Sequence, residues 1–513
     1  MLRNHPYFTA AILSAAIVSA GAAGARAATA PIGAYTTKGA YTYVTDPNLH
    51  PPKLSTDAPT SFNKLAPGYF MIANFKNLMN PAAMVGQGGP LILDSHLQPV
   101  WFHSAGLNVL ALNLKAQTYN GKPVLSWWEG IISPVGANTT GTYRVVDQHY
   151  RQVATLTGQD GWIISEHEMV ISGHNAWVTA YKNFPMDLTP YGGQATGTLT
   201  DSAVQEYDLR SGKLLYTWAA SAAGHIPLSD SETHAPPLAT VAWDAYHVNS
   251  IQLEPGGKFL VSMRNTWAAY LVDIKTGKID WIVGGKRPTF VAAPSAQFHW
   301  QHDVQLHQGN VLSVFDDACC AILGPGKLGP ASGPSRALFL KLDTAHHTAT
   351  VAKQIVHFDD FNAAFLGSTD LLPNGNVMVG WGSQPVFSEY GPRGAQLLDA
   401  VLPTPDLTYR AYLQNWVGTP ASPPRGAVST AKGKVTVFAS WDGSTQVTGW
   451  RVLAGPDKRH LLSVAVVGKR GFETAIRLAH VYKRYEVQAL DSRGQLLRSS
   501  PVFSNAPPPP GFY

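Results

Sequence analysis

Charge is scarce in this chain. Asp, Glu, Lys and Arg together make up 14% of its 513 residues, against about a quarter in an ordinary globular domain. The formal balance is only +5, with no run of Lys or Arg and no basic helix. That excludes the electrostatic footprint of a nucleic-acid partner. Cysteine is nearly absent. The two that occur are neighbours, Cys319 and Cys320. A bridge between adjacent residues is strained, so they read as free thiols, or as one thiol pairing with another chain. The fold is expected to stand without a disulfide framework. Long apolar runs are missing beyond the start of the chain. There, Arg3 is followed by a small-residue apolar stretch from Phe8 to Ala23 and by Ala25-Arg26-Ala27. This has the layout of a secretory signal with its cleavage site. Residues 1–27 are therefore expected to be removed, giving a secreted or cell-envelope protein with no membrane span in its mature form.

What is abundant is Gly (47), Pro (37) and aromatic side chains (10%). Few charges with many turn formers and aromatics predict short strands and tight turns, not long helices, coiled coils or disorder. Residues 28–65 form a polar, turn-rich N-terminal extension. From 66 to 402 one pattern recurs: an apolar run into an Asp, a turn, and a second apolar run. Copies are PLILDSHLQPVWF, YRVVDQHYRQVATL, VQEYDLRSGKLLYTW, AYLVDIKTGKIDWIVGG and ALFLKLDTAHHTATVAKQIV, with Asp at 94, 147, 208, 273 and 343. Between them lie hairpins with Pro-Gly, Asn-Gly or Gln-Gly turns, such as NSIQLEPGGKFLVSM and HDVQLHQGNVLSVF. Two hairpins per unit make a four-stranded sheet. Six such units predict an all-β fold, a six-bladed β-propeller.

The polar residues share a register. When the inner hairpins are aligned on their turns, His167, Asn249, His302 and Ser368 fall at one position, with His247 two residues before Asn249. Residues two apart on a strand share a face, so these side chains are expected to converge at the mouth of the central channel, a natural small-molecule site. Residues 403–424 are Pro-rich and read as a linker, with Tyr409 to Trp416 packing on the propeller. Residues 425–505 carry strand-like runs at sandwich spacing and resemble a fibronectin type III module. Residues 506–513 read as an extended tail.

The stretches DAYHVNSIQLEPGGKFLVSMRNTWAAYLVDIKTGKIDWIVGGK and FHWQHDVQLHQGNVLSVFDD, with PSRALFLKLD, LPNGNVMVGWG and YRAYLQNWVGTP, resemble the arylsulfotransferase family, collinearly over about 85–420. The resemblance implies a six-bladed propeller enzyme that needs no cofactor and no adenylyl-sulfate donor. Such an enzyme moves a sulfuryl group from a small aromatic sulfate donor to a phenol acceptor, through a transiently sulfated histidine. It points to His302 and His247 as catalytic, with Arg336 in PSRALF as the match to the family arginine. Bacterial members place the sulfated histidine in a late blade, where this chain carries Ser368 and Thr369. An earlier histidine must take that role, or the protein is a non-catalytic binder.

The chemistry suits these residue types. A neutral imidazole attacks sulfur at neutral pH, and a second exchanges protons with the phenol oxygen. Arg336 would clamp the sulfonate, or alternatively pair with Asp316 or Asp343 across its blade. Asn249 and His167 would bind substrate, and Trp300 and Trp267, with Trp243, would wall the ring. Asp303, next to His302, is expected to be structural, because strand neighbours face opposite sides. A three-histidine metal site is the lesser alternative, and no metal is expected. The C-terminal module is a candidate for carbohydrate or cell-surface contact.

Overall fold

The computed structural model describes residues 34–132, 140–324, 327–431 and 434–504. The expected signal segment and the expected tail lie outside them. Among the described residues there is no α-helix, only strands and five three-residue 3₁₀ turns. Among the described residues no helix is long and apolar enough to cross a membrane.

Among the described residues, six sheets each hold four antiparallel strands between Tyr69 and Gln414, and three of them carry a short fifth strand at one side. Their innermost strands are Leu110–Tyr119, Ile163–Ser172, Val248–Glu254, His302–His307, Ser368–Leu371 and Asp406–Gln414, here assigned to blades one to six. Each innermost strand lies beside the next, and the sixth lies beside the first, so the ring is closed. This is a β-propeller. The tight inner turns supply what was read from the sequence. Gly256 and Gly257 adopt φ of +80° and +74° between the paired ends Glu254 and Lys258, a conformation only glycine enters cheaply.

The blades are apolar on both faces and bury them against each other. One core fills each gap between neighbours. Trp128, Tyr143 and Met169 lie between blades one and two, and Trp218, Phe259 and Tyr270 between two and three. Similar groups fill the other four gaps, from Leu260 and Leu312 round to Trp101 and Trp127.

The expected linker 403–424 is corrected in part. Its residues Asp406–Gln414 are the innermost strand of blade six, paired antiparallel with Tyr69–Lys76. The outer strands of that blade, Gly89–Leu93 and Pro99–Phe102, come from the start of the chain. Pro403 and Pro405 give the stretch the look of a linker, but both precede the strand, where proline removes no ladder bond. The propeller therefore runs past 402.

At the start of this closing strand, Asp406 is fully buried. Burial pushes its carboxyl up to about 8, against the pull of the Val85 N–H and of Asn74. Its folded pKa lies above the unfolded value of about 3.9, so its contribution to stability is fully present below about pH 4 and is lost as pH rises from there to about 8. We expect Asp406→Asn to melt like wild type at about pH 4. At about pH 8.5 it should escape the loss of about 1–2 °C per pH unit that wild type accrues between about pH 4 and 8. Thermal melts at the two pH values check this.

Beyond the ring, two sheets share one core around the fully buried Trp450. One contains Arg425–Ala431, Lys434–Ser440 and Glu473–Leu478. The other contains Leu462–Gly468, Gly449–Gly455, Arg484–Leu490 and Leu496–Ser499. The module docks on blades one and six: Tyr150 donates to the Gly443 carbonyl at 2.7 Å, and Gly443 N–H donates to Val100 at 2.8 Å. The N-terminal extension stitches both parts. Ser55–Thr56 pairs with the outer strand of blade five, and the Thr45 N–H and hydroxyl both donate to Glu473 at 2.6 Å.

Candidate active site

The innermost strands are not regular where they reach the channel mouth. Register shifts interrupt the inner pairing at Leu112/Lys115, Ile164/Met169, Val248/Ser250 and His302/Gln305. His247 and Asp303 sit there with φ of +56° and +50°. A bulge re-aims side chains away from simple alternation. It lets His167, His247 and His302, from blades two, three and four, approach one another.

The rings of His167 and His247 are 5.0 Å apart and edge-on. Tyr409 of the closing strand presents its ring to His167 at 5.6 Å and to His302 at 6.3 Å. Two of the imidazoles have carboxylate partners at Nδ1: His302 with Asp317 at 2.8 Å, and His247 with Asp244. His167 Nδ1 instead meets the Ser165 hydroxyl at 2.7 Å. A carboxylate at Nδ1 fixes the tautomer and leaves Nε2 to carry the lone pair.

Burial holds His302 and His167 well below the usual imidazole range. Arg264 is the next cause for His302, and His247 the next for His167, with Arg410 adding to both. Burial pushes Asp317 well above the carboxylate range, opposed by Arg264. The electrostatics of the cluster thus centre on Arg264, a residue the sequence analysis did not single out. Asp317 and Asp244, the partners of the two histidines, both act on its charge. Its guanidinium lies over the Trp300 ring at 4.6 Å and donates to the Ala364 carbonyl at 3.1 Å. Counting back from the Pro255-Gly256-Gly257 turn sets Asn265 opposite His247; the bulge at Val248/Ser250 shifts the register by one, and Arg264 N–H donates to the His247 carbonyl at 2.9 Å.

Arg336 is placed elsewhere. Its Nε donates to Asp316 at 2.9 Å and its other nitrogens to Gln354 and the Gln297 carbonyl. It is the cross-blade pair, not a member of the histidine cluster. Asn249 is fully buried, and its Nδ2 donates to the Gln301 carbonyl of the next blade at 2.7 Å. Asn113 does the same toward the His167 carbonyl at 2.8 Å, so this is a repeated bridge between blades. Asn249 Oδ1 has no hydrogen-bond partner among the described residues.

The rings of Trp300 and Trp267 lie 5.6 Å apart at a steep angle. Trp243 packs against Tyr191 in the core between blades two and three. Ser368 is spent on the backbone of Ala411. Cys319 and Cys320 are not free: they form a disulfide with each other, packed against Trp300. Among the described residues no three His, Cys, Asp or Glu side chains are grouped to hold a metal ion.

A family model described as arylsulfotransferase (ASST) matches residues 115–402, more than half of the chain. The chain belongs to the arylsulfotransferase family. The match spans His167, His247, Arg264 and His302 and stops before the closing strand. No curated protein matches the chain. Several solved structures resemble it at low identity. A protein of unknown function from Bacteroides caccae is 11% identical, covering 67% of this chain and 98% of that one, with a TM-score of 0.36. A putative 6-phosphogluconolactonase from Bacteroides fragilis is 10% identical, covering 70% and 100%, at 0.34. A chain of a nidogen/laminin complex is 9% identical, covering 67% and 97%, at 0.36.

Proposed function

We propose that this arylsulfotransferase-family protein transfers a sulfuryl group from a phenolic sulfate ester to a phenol, with His302 as the nucleophile. One observation carries the assignment. His302 is a buried imidazole held neutral, its Nδ1 is occupied by Asp317, and Arg264 lies close enough to depress it. In the first half-reaction the Nε2 lone pair forms the N–S bond and the S–O bond to the aryl group breaks. The departing phenolate takes a proton from His247 in its protonated, Asp244-paired form. Arg264 stabilises charge on the sulfonate oxygens. In the second half-reaction the acceptor phenol returns that proton to His247. Its oxygen then attacks sulfur, and the N–S bond breaks to regenerate His302. Trp300 and Trp267 supply the flat apolar surface for the ring, and His167 completes the channel mouth. In this reading Arg264 takes the clamping role first given to Arg336.

The test is the purified protein with p-nitrophenyl sulfate, with and without a phenol. Phenol-dependent release of nitrophenol is expected, as is a gain of one sulfuryl group in intact mass after donor alone. No release and no mass gain across a panel of aryl sulfates would leave a propeller that binds ligand without turning it over. Within the same proposal, residues 1–27 act as an export signal, checked by N-terminal sequencing of the exported protein. The C-terminal module is read as fibronectin type III-like, from its three-strand sheet in the order first, second, fifth and its four-strand sheet in the order fourth, third, sixth, seventh. We propose carbohydrate or cell-surface contact as its role, checked by glycan binding of the intact protein.

A further inference from the structure

The three histidines stand on a buried cation. Arg410, on the closing strand, is 2% exposed. Its Nη1 donates to Glu168 at 2.6 Å and lies 3.2 Å from Asp303, and its Nη2 donates to the Asn249 carbonyl at 2.8 Å. Each carboxylate reaches one blade further. Glu168 also pairs with Lys115, and Asp303 accepts the Thr369 N–H at 3.0 Å. Lys115, Glu168, Asn249, Asp303, Thr369 and Arg410 belong to the innermost strands of blades one to six in turn. One guanidinium thus touches every blade, directly or through one carboxylate.

The anchors are chain neighbours of the histidines. Glu168 follows His167, Asp303 follows His302, and Asn249 lies two residues after His247. Burying such a network is costly, and well-packed apolar residues in its place are often at least as stable. Stability alone is therefore a poor account of an arginine placed here, while its bonds run to the segments that carry the site.

We propose that Arg410 is the positioning residue of the histidine cluster: by gripping Glu168, Asp303 and the Asn249 carbonyl it sets the spacing of His167, His302 and His247 and holds a fixed positive charge behind them. The kinetic part of this rests on the sulfuryl-transfer reading; the charge part does not. The other charges that face the imidazoles are Asp317 and Arg264 at His302, and Arg264, Glu166 and the Asp244-paired His247 at His167. Tyr181 and Tyr409 are the remaining titratable neighbours of His167. Below lie Lys115 and Asp370, whose carboxyl is pushed up to about 7 by burial and by Asp303.

Removing the Arg410 cation leaves Glu168 and Asp303 dominant, so the imidazoles should protonate at higher pH. Removing Glu168 as well restores the balance. The experiment is a proton titration of the full chain with ¹³C-labelled histidine, followed by NMR, with circular dichroism to confirm the fold. In Arg410→Met, His167 and His302 should titrate about one pH unit or more higher than in wild type. The double variant Arg410→Met/Glu168→Gln should return at least half of that shift. Arg410→Lys should keep the wild-type titration but lose its fork geometry, lowering kcat about tenfold with KM unchanged.

A folded Arg410→Met that titrates like wild type overturns the proposal, as does a double variant that shows no return. If Arg410→Met does not fold, the double variant and Arg410→Lys decide: a wild-type kcat in Arg410→Lys overturns it. If the wild-type protein shows no turnover, the sulfuryl-transfer reading fails, and the titration alone decides the role of Arg410.

Discussion

His302→Ala should leave a closed ring that no longer takes up a sulfuryl group from donor. Turnover is expected to fall by at least about 10³-fold, the scale of removing a covalent nucleophile. The mass gain after donor alone should vanish. The variant also leaves Asp317 without its imidazole in a buried site, so some loss of melting temperature is expected and must be measured beside activity. His247→Ala separates the two roles. An imidazole that only exchanges protons matters most when the leaving phenolate is basic. His247→Ala should therefore still be sulfated by p-nitrophenyl sulfate but react far more slowly with phenyl sulfate. His302→Ala should fail with both. If His247→Ala instead loses the mass gain with p-nitrophenyl sulfate while His302→Ala keeps it, the two assignments are reversed.

Arg264→Met should cost 10²–10³-fold in kcat, about 3–4 kcal/mol of transition-state stabilisation, the range seen when one fixed donor to a developing anion is removed. Arg264→Lys should recover only part, because the ammonium keeps the charge but not the planar fork. The pH profile gives a second reading. Arg264 is the largest charged influence holding His302 down, so without it the acid limb of kcat/KM should move to higher pH. Arg336→Met is the control. It breaks an ion pair with the buried Asp316, so it should lower the melting temperature while turnover per folded molecule stays near wild type. Equal kinetic losses in Arg264→Met and Arg336→Met would defeat the assignment of Arg264 as the clamp.

Much of the architecture was legible because the hairpins declare themselves. Turn residues such as Pro255-Gly256-Gly257 mark strand ends, and the apolar runs on either side have strand length. The three histidines were found by the same counting. Two things escaped it. The closing strand escaped because its partner, Tyr69–Lys76, lies more than 300 residues earlier, and no local pattern reports so distant a pairing. Arg264 escaped because strict alternation was assumed where the strands carry bulges, and Asp303 was read as structural without its partners being visible. Asp303, with φ of +50°, turns its carboxylate to Arg410 and Thr369. Arg336 was chosen on motif likeness, and the turn register of the His247 hairpin points to Asn265; only the bulge at Val248/Ser250 brings Arg264 beside His247.

The ring has a consequence for the order of folding. Blade six takes its inner strand from Asp406–Gln414 and its outer strands from residues 69–102. As the chain is made, Tyr69–Lys76 must wait with one edge unpaired while blades one to five form. Such long-range closure is slow, and an open strand edge invites association between molecules. The three histidines are all made long before Arg410, yet the strand that carries it arrives after them. Assembly of the chemistry is therefore tied to completion of the circle: a nascent or nicked molecule with its ring still open holds every imidazole and lacks the tether that brings them to one point.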